Sequence, residues 1–152
     1  MVTAEAKESF VSKLDDYSTL WLTLYGEARG EPIEGQIGVG FVIYNRKFER
    51  GLSPKAVCLQ PAQFSCWNSA DPNLQVIMSA FLAPSAIERK IIAQIRLVAK
   101  GIMTGDIIDN TNGSNHYLST KLYRSPQCPN WAKDKAASPK VVLGGHTFIW
   151  CP

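Results

Sequence analysis

The sequence predicts an α+β domain that is mainly helical, with a small β-hairpin region in its C-terminal third. Three observations carry that reading. Apolar residues recur at spacings of three and four through roughly the first two thirds of the chain, the pattern of amphipathic helices. The dipeptides Asn112-Gly113 and Gly144-Gly145 sit beside β-favouring residues in "DNTNGSNHYLS" and "VVLGGHTFIW", which is hairpin chemistry. At 152 residues with 45% hydrophobic content the chain suits one domain with a real core, since domains cluster near roughly 100–150 residues. No internal repeat, low-complexity tract or linker divides it, so residues 1–152 read as a single unit.

Taken in order, residues 10 to 27 carry Phe10, Leu14, Tyr17, Leu20 and Leu24 on one helical face, and Gly26 and Gly30 end that helix. Pro32 suits the first position of a second helix, which puts Glu31 at its cap and Glu34 in its first turn. From there Ile37, Phe41, Tyr44 and Phe48 form a stripe, while Gly35, Gly38 and Gly40 let another backbone come close, so this helix is expected to be buried. "LSPKAV" reads as a short helix after Gly51, "QPAQFSCWNSADPN" as an ordered loop, and Ala86 to Met103 as a third long helix ending at Gly101 to Gly105.

Composition narrows the partners. Sixteen basic against thirteen acidic residues leave a charge of +3, which suits an anionic partner without demanding one. No basic run, aromatic-plus-basic repeat or nucleic-acid module accompanies it, so no nucleic acid is expected. The N-terminus lacks a basic start followed by an apolar signal core, and no stretch is long and apolar enough to insert into a membrane. Cys58, Cys66, Cys128 and Cys151 allow three disulfide connectivities, and with His116 and His146 they show no zinc-ligand spacing, so buried thiols or a bridge are expected and no metal.

Among the acids of "LTLYGEARGEPIEGQIG", Glu27 is the one that local structure does not explain. Glu31 and Glu34 fall at a helix N-terminus, where a negative charge gains roughly 0.3–1 kcal/mol. Glu27 falls in the last turn of a helix beside Leu24 and Tyr25, where the dipole and apolar neighbours disfavour a carboxylate. A carboxyl group that keeps its proton is what a glycosidase hands to a glycosidic oxygen. The competing reading is a surface ion pair with Arg29 or Arg46.

"YGEARGEPIEGQIGVGFVIYNR" resembles the opening of the cell wall hydrolase family that includes the SleB spore-cortex lytic enzymes. "QFSCWN", "GDIIDNTNGSNHYLS", "PNWA" and "LGGHTFIW" follow in that family's order over about residues 20 to 150. The chain reads Gly113-Ser114-Asn115-His116 where the family often has Gly-Ala-Thr-His. The resemblance implies a lysozyme-like, lytic transglycosylase-like fold, peptidoglycan as substrate, and Glu27 as the catalytic acid. It also places Glu31, Gln63, Phe64, Ser65, Asn115, His116 and Tyr117 at the substrate, with no cofactor. "QFS" offers amide, ring and hydroxyl together, and neighbouring His116 and Tyr117 on a strand point to opposite sides. Trp131 reads as core or cleft wall, Trp67 as core or site, and His146 as a support of the terminal hairpin. Spore enzymes of this kind carry an export signal and often a wall-binding region. Without either, this chain is expected to be a lone catalytic domain, monomeric and endolysin-like, held in a host cytoplasm until it reaches the wall.

The resemblance and the count of carboxylates favour cleavage between N-acetylmuramic acid and N-acetylglucosamine by a lytic transglycosylase. A hydrolytic muramidase needs a second carboxylate roughly 5–9.5 Å away, for which Asp106, Asp109 and Glu31 are candidates. A non-catalytic wall-binding module is the alternative from outside enzymology.

Overall fold

The computed structural model describes the backbone of residues 1–152 and every side chain but that of Lys140. Two side-chain caps divide the first predicted helix. Thr3 accepts from the Ala6 N–H to start α1 (Ala4–Ser12), and Asp15 accepts from the Ser18 N–H to start α2 (Asp16–Ala28). The apolar spacing runs across the break because Phe10, Leu14 and Leu20 all enter the same core. Every residue of α2 from Thr19 to Tyr25 is buried, so this helix is enclosed on all sides rather than amphipathic. Gly26 does not end it: α2 runs on to Ala28.

Helix α3 (Ile33–Arg50) begins with Pro32, not Glu31, as its cap and ends on Gly51 in the left-handed region. Its buried face is Gln36, Val39, Ile43 and Arg46, with Gly38 and Gly40. The stripe expected from the sequence lies to one side, with Ile37, Phe41 and Tyr44 half-buried and Phe48 71% exposed. Glycines displaced the reading: Phe148 presses on Gly38 and Ile102 on Gly40, so this face buries partners rather than its own side chains.

After α4 (Pro54–Leu59) the chain makes a 3-10 turn at Ser65–Trp67 inside the expected loop. An unexpected helix follows, α5 (Pro72–Leu82), capped by Asp71. Helix α6 (Ala86–Thr104) starts with a Ser85/Glu88 capping box and ends on Gly105 at φ +80°.

The last third holds β1 (His116–Ser119), short helices α7 (Thr120–Tyr123) and α8 (Asn130–Lys133), then β2 (Ser138–Leu143) and β3 (His146–Trp150). The sheet is antiparallel in the order β1-β3-β2. Gly144-Gly145 closes the β2–β3 hairpin as expected. Asn112-Gly113 makes a turn, but β1 pairs with β3 rather than with an adjacent strand, so no hairpin forms there. Tyr117 and Phe148 face the main core, whereas Leu118 and Ile149 join Cys128, Ala132 and Ala137 in a smaller core. All four cysteines are free thiols, and burial pushes that of Cys58 up to about 12. Among the described residues no helix is long and apolar enough to cross a membrane.

A methyl group on Gly38 would lie 2.5 Å from the Phe148 ring, which is fully buried and has nowhere to move. Gly38→Ala is expected to cost about 1–3 kcal/mol of stability by overpacking, read as a fall in the denaturant midpoint; a gain in stability, as an exposed helical glycine would give, would contradict this packing.

Candidate active site

Glu27 emerges half-buried in the last turn of α2. Its carboxyl group is gripped by two elements distant in sequence. Tyr117 on β1 donates its hydroxyl to Oε2 at 3.0 Å, and the Cys66 backbone N–H in the 3-10 turn donates to Oε1 at 3.4 Å. The turn reaches Glu27 because Gly26 has no side chain: a Cβ there would lie 2.8 Å from that of Cys66. Burial, reinforced by the Glu27 charge, holds the Tyr117 phenol well above its ordinary pKa, and the same two causes raise the Cys66 thiol, so both keep their protons. Gly26, Glu27, Arg29, Gly30 and Asn73 line an open depression over this carboxyl group.

Neither arginine expected as an ion-pair partner takes that role. Arg29 bonds to the carbonyls of Tyr25 and Gly26 and to Asn73 Oδ1 at 2.9 Å. Arg46 is buried at 6% exposure, donating through Nε to the Asn115 carbonyl at 2.7 Å and through Nη1 to Gln63 Oε1 at 3.1 Å.

Glu31 is not a helix cap. Its Oε2 accepts from the Gly145 N–H at 3.0 Å. Its Oε1 lies 3.0 Å from His146 Nδ1, an ion-pair distance at an angle that makes no hydrogen bond. The His146 ring stands edge-on to that of Tyr117 at 5.1 Å, so Glu31 borders the Glu27 site through His146 and Tyr117. The other candidates for a second carboxylate are engaged. Asp109 accepts from Asn45, from the backbone and hydroxyl of Thr111 and from the Gly113 N–H. Burial raises its pKa, but those bonds outweigh it and the net shift is downward. Asp106 accepts from Thr104, and Asp71 caps α5.

The remaining expected residues divide into two groups. Tyr117 and the Phe64–Cys66 segment come together at Glu27, with Phe64 buried under the Arg46 guanidinium and Ser65 exposed. Gln63, Asn115 and His116 gather around Arg46 and Arg50 instead. Asn115 is buried, donating to Glu49 and the Cys151 carbonyl and accepting from the Cys151 N–H. His116 points away from Tyr117, its ring 5.1 Å from that of the half-exposed Trp131. Trp67 is core, its indole N–H bonded to Thr23 at 2.9 Å.

Asn45 and Arg46 have a task that their place in the Asn-Arg motif does not reveal. Asn45 donates to Asp109 and to the Ser114 carbonyl, so the two side chains together fasten the 109–115 loop to α3. An arginine on the glycine-rich, buried side of a helix was the available signal.

Residues 30–149 match the family model described as cell wall hydrolase. The chain belongs to the cell wall hydrolase family. The match starts three residues after Glu27, so that residue stands on its geometry. Among solved structures, the chain is similar to the catalytic domain of the germination-specific lytic transglycosylase SleB from Bacillus anthracis. That similarity has a TM-score of 0.61 at 22% identity, over 90% of this chain and 93% of that one. The catalytic domain of the Bacillus cereus SleB protein aligns with a TM-score of 0.55 at 22% identity, over 90% and 89%. No curated protein matches the sequence. The lysozyme-like fold is thus shared with SleB catalytic domains, and membership of the cell wall hydrolase family makes the chain a peptidoglycan-degrading enzyme.

His116 offers a test of the Arg46 cluster. Burial first, then the charges of Arg46 and Arg50, lower its pKa from the ordinary 6.5. The folded state therefore binds a proton less readily than the unfolded chain, so stability is full above about pH 6.5 and falls as pH drops through the folded pKa. Between pH 7 and 5 the wild-type melting temperature is expected to fall further than that of His116→Gln; equal falls would remove His116 from this electrostatic cluster.

Proposed function

We propose that this cell wall hydrolase is a lytic transglycosylase that cleaves peptidoglycan between N-acetylmuramic acid and N-acetylglucosamine, with Glu27 as its single acid and base. One observation carries the reading. Glu27 holds a half-buried carboxyl group in an open depression, fixed by donors from two other elements, with no ion-pair partner among the described residues and with Glu31, Asp106 and Asp109 engaged in bonds of their own.

In this reading the Glu27 carboxyl group gives its proton to the glycosidic oxygen as the bond to the muramic C1 breaks. The resulting carboxylate accepts the Tyr117 hydroxyl and the Cys66 N–H, two charge-assisted bonds that stabilise it. It then draws the proton from the muramic C6 hydroxyl as that oxygen closes on C1. An intramolecular nucleophile needs no second carboxylate and gains the advantage of proximity. The likeness to a SleB lytic transglycosylase domain supports the same route. Glu31 and Ser65 are proposed to line the bound strand near Glu27, and Gln63 and His116 to shape its path beyond Arg46, while Phe64 and Asn115, expected at the substrate, are buried and support that surface from below.

Glu27→Gln keeps size and polarity and removes the transferable proton, so wall lysis is expected to fall by at least about 10²-fold with an unchanged melting temperature. Near wild-type lysis by that variant would remove Glu27 from the chemistry. Mass spectrometry of the wild-type digest separates the two cleavage routes. Transglycosylation leaves muropeptides about 18 mass units lighter than hydrolysis does and resistant to borohydride, because no water is added. Heavier, reducible ends would establish a muramidase and turn attention to Glu31 as the second carboxylate.

A further inference from the structure

Helices α2, α5 and α6 enclose a second concave surface that shares no residue with the depression over Glu27. Helix α5 connects the two: Asn73 near its start lines the Glu27 depression, and Phe81 at its far end lines the groove, roughly 12 Å further along. A hollow of about 380 Å³ holds Trp21 and Phe81, whose rings stack 6.2 Å apart, together with Arg89 and Arg96. A second hollow of about 400 Å³ continues from Tyr17, Ala93 and Arg96 to Lys100. On α6, residues 89, 93, 96 and 100 follow at spacings of four, three and four, so the cations form one stripe and the small Ala93 leaves the gap between them.

Arg96 is held in place. Its Nε donates to the Tyr17 hydroxyl at 3.1 Å, and its guanidinium lies 5.8 and 5.9 Å from the rings of Tyr17 and Trp21. Among the described residues its two Nη groups have no acceptor, and no carboxylate lies within 4.0 Å of Arg89, Arg96 or Lys100. The acids on these helices are turned elsewhere: Asp15 to the Ser18 N–H, Asp16 to the Lys55 N–H, and Glu88 to the Ser85 N–H and the Tyr25 hydroxyl. A guanidinium fixed through Nε with both Nη groups free can take a carboxylate by two parallel hydrogen bonds. The aromatic rings beside it cover an apolar stretch of the same ligand.

We propose that this groove binds the acidic stem peptides of peptidoglycan, one carboxylate on Arg96 and another on Arg89 or Lys100, and so tethers the enzyme to its insoluble substrate while Glu27 acts elsewhere on the wall. The inference rests on the function proposed above. Peptide is the occupant that the charges select, because the muramic lactyl carboxyl is tied up as an amide wherever a stem peptide is attached, whereas the stem peptides themselves carry free carboxylates. Tethering of this kind raises the local concentration of cleavable strands without touching the chemistry.

The test is co-sedimentation with purified sacculi at low salt. The double variant Arg89→Gln, Arg96→Gln changes only exposed side chains and is expected to bind about tenfold less than wild type, while cleaving soluble peptide-free glycan oligomers at the wild-type rate. Ala93→Glu, which puts a carboxylate into the gap, is expected to lose binding to the same degree. On sacculi whose stem-peptide carboxylates have been capped as methylamides with carbodiimide and methylamine, wild type and double variant are expected to bind equally. Equal binding to intact sacculi, with oligomer cleavage intact, overturns the groove and leaves the function standing. A wild-type protein that cleaves no oligomer or sacculus overturns the function instead. A binding difference that survives capping of the peptide carboxylates but disappears when phosphodiester wall polymers are extracted assigns the groove to those polymers and overturns the peptide proposal.

Discussion

The buried guanidinium of Arg46 is the interaction on which the site depends. It meets the Asn115 carbonyl, Gln63 Oε1 and the face of Phe64, three groups brought together from two loops more than fifty residues apart. One of those loops runs directly into Tyr117 and the other into Cys66, the two donors to Glu27. Burial lowers the Arg46 pKa, with the Arg50 charge adding to it and Tyr117 and Glu49 opposing it. Only arginine can serve several acceptors lying in different directions from one planar fork, and losing it would strand the Asn115 carbonyl at a cost of about 1–3 kcal/mol.

Glycine supplies the second constraint, by absence of bulk rather than by backbone freedom. Gly26 lies within a helix, where glycine costs roughly 0.5–1 kcal/mol relative to alanine, yet the Cys66 Cβ occupies the space an alanine would need. The helix therefore gives up some local stability so that the 3-10 turn can present an N–H to the next residue, Glu27. Gly38 and Gly40 on α3 do the same for Phe148 and Ile102, which tie the sheet and α6 to that helix.

Local chemistry was legible in the sequence and long-range pairing was not. The three longest helices, the Gly144-Gly145 hairpin and the isolation of Glu27 from any capping role follow from spacing and turn residues. The break at Lys13 was hidden because one apolar rhythm serves two helices of the same core. Helix α5 was hidden by the turn-rich residues that precede it, although Asp71-Pro72 is a sound start signal. Glu31 was misread for a different reason. Its position beside Pro32 fits a helix cap, but its partners, Gly145 and His146, lie over a hundred residues away and leave no trace in local spacing. His116 and Tyr117 were correctly expected to face opposite ways, and only the sheet order decided that Tyr117 meets Glu27.

These contacts make α3 a ruler for the sheet. Just before its start, Glu31 takes the N–H of the β2–β3 turn; a third of the way along, Gly38 receives the Phe148 ring; towards its end, Asn45 and Arg46 grip the segment that enters β1. The fastenings reach along roughly 20 Å of helix from Ile33 to Arg46 at 1.5 Å per residue, longer than β1 itself, so neither a shift nor a rotation of the sheet can satisfy all of them except in one position. Tyr117 pairs across β1 and β3 with Phe148, the residue seated on Gly38. Its phenol is thus placed by backbone register rather than by its single hydrogen bond to Glu27. A carboxyl group whose donor is located in this way keeps that donor in place whatever fills the depression beside it, because the strand register that fixes the donor lies outside the depression.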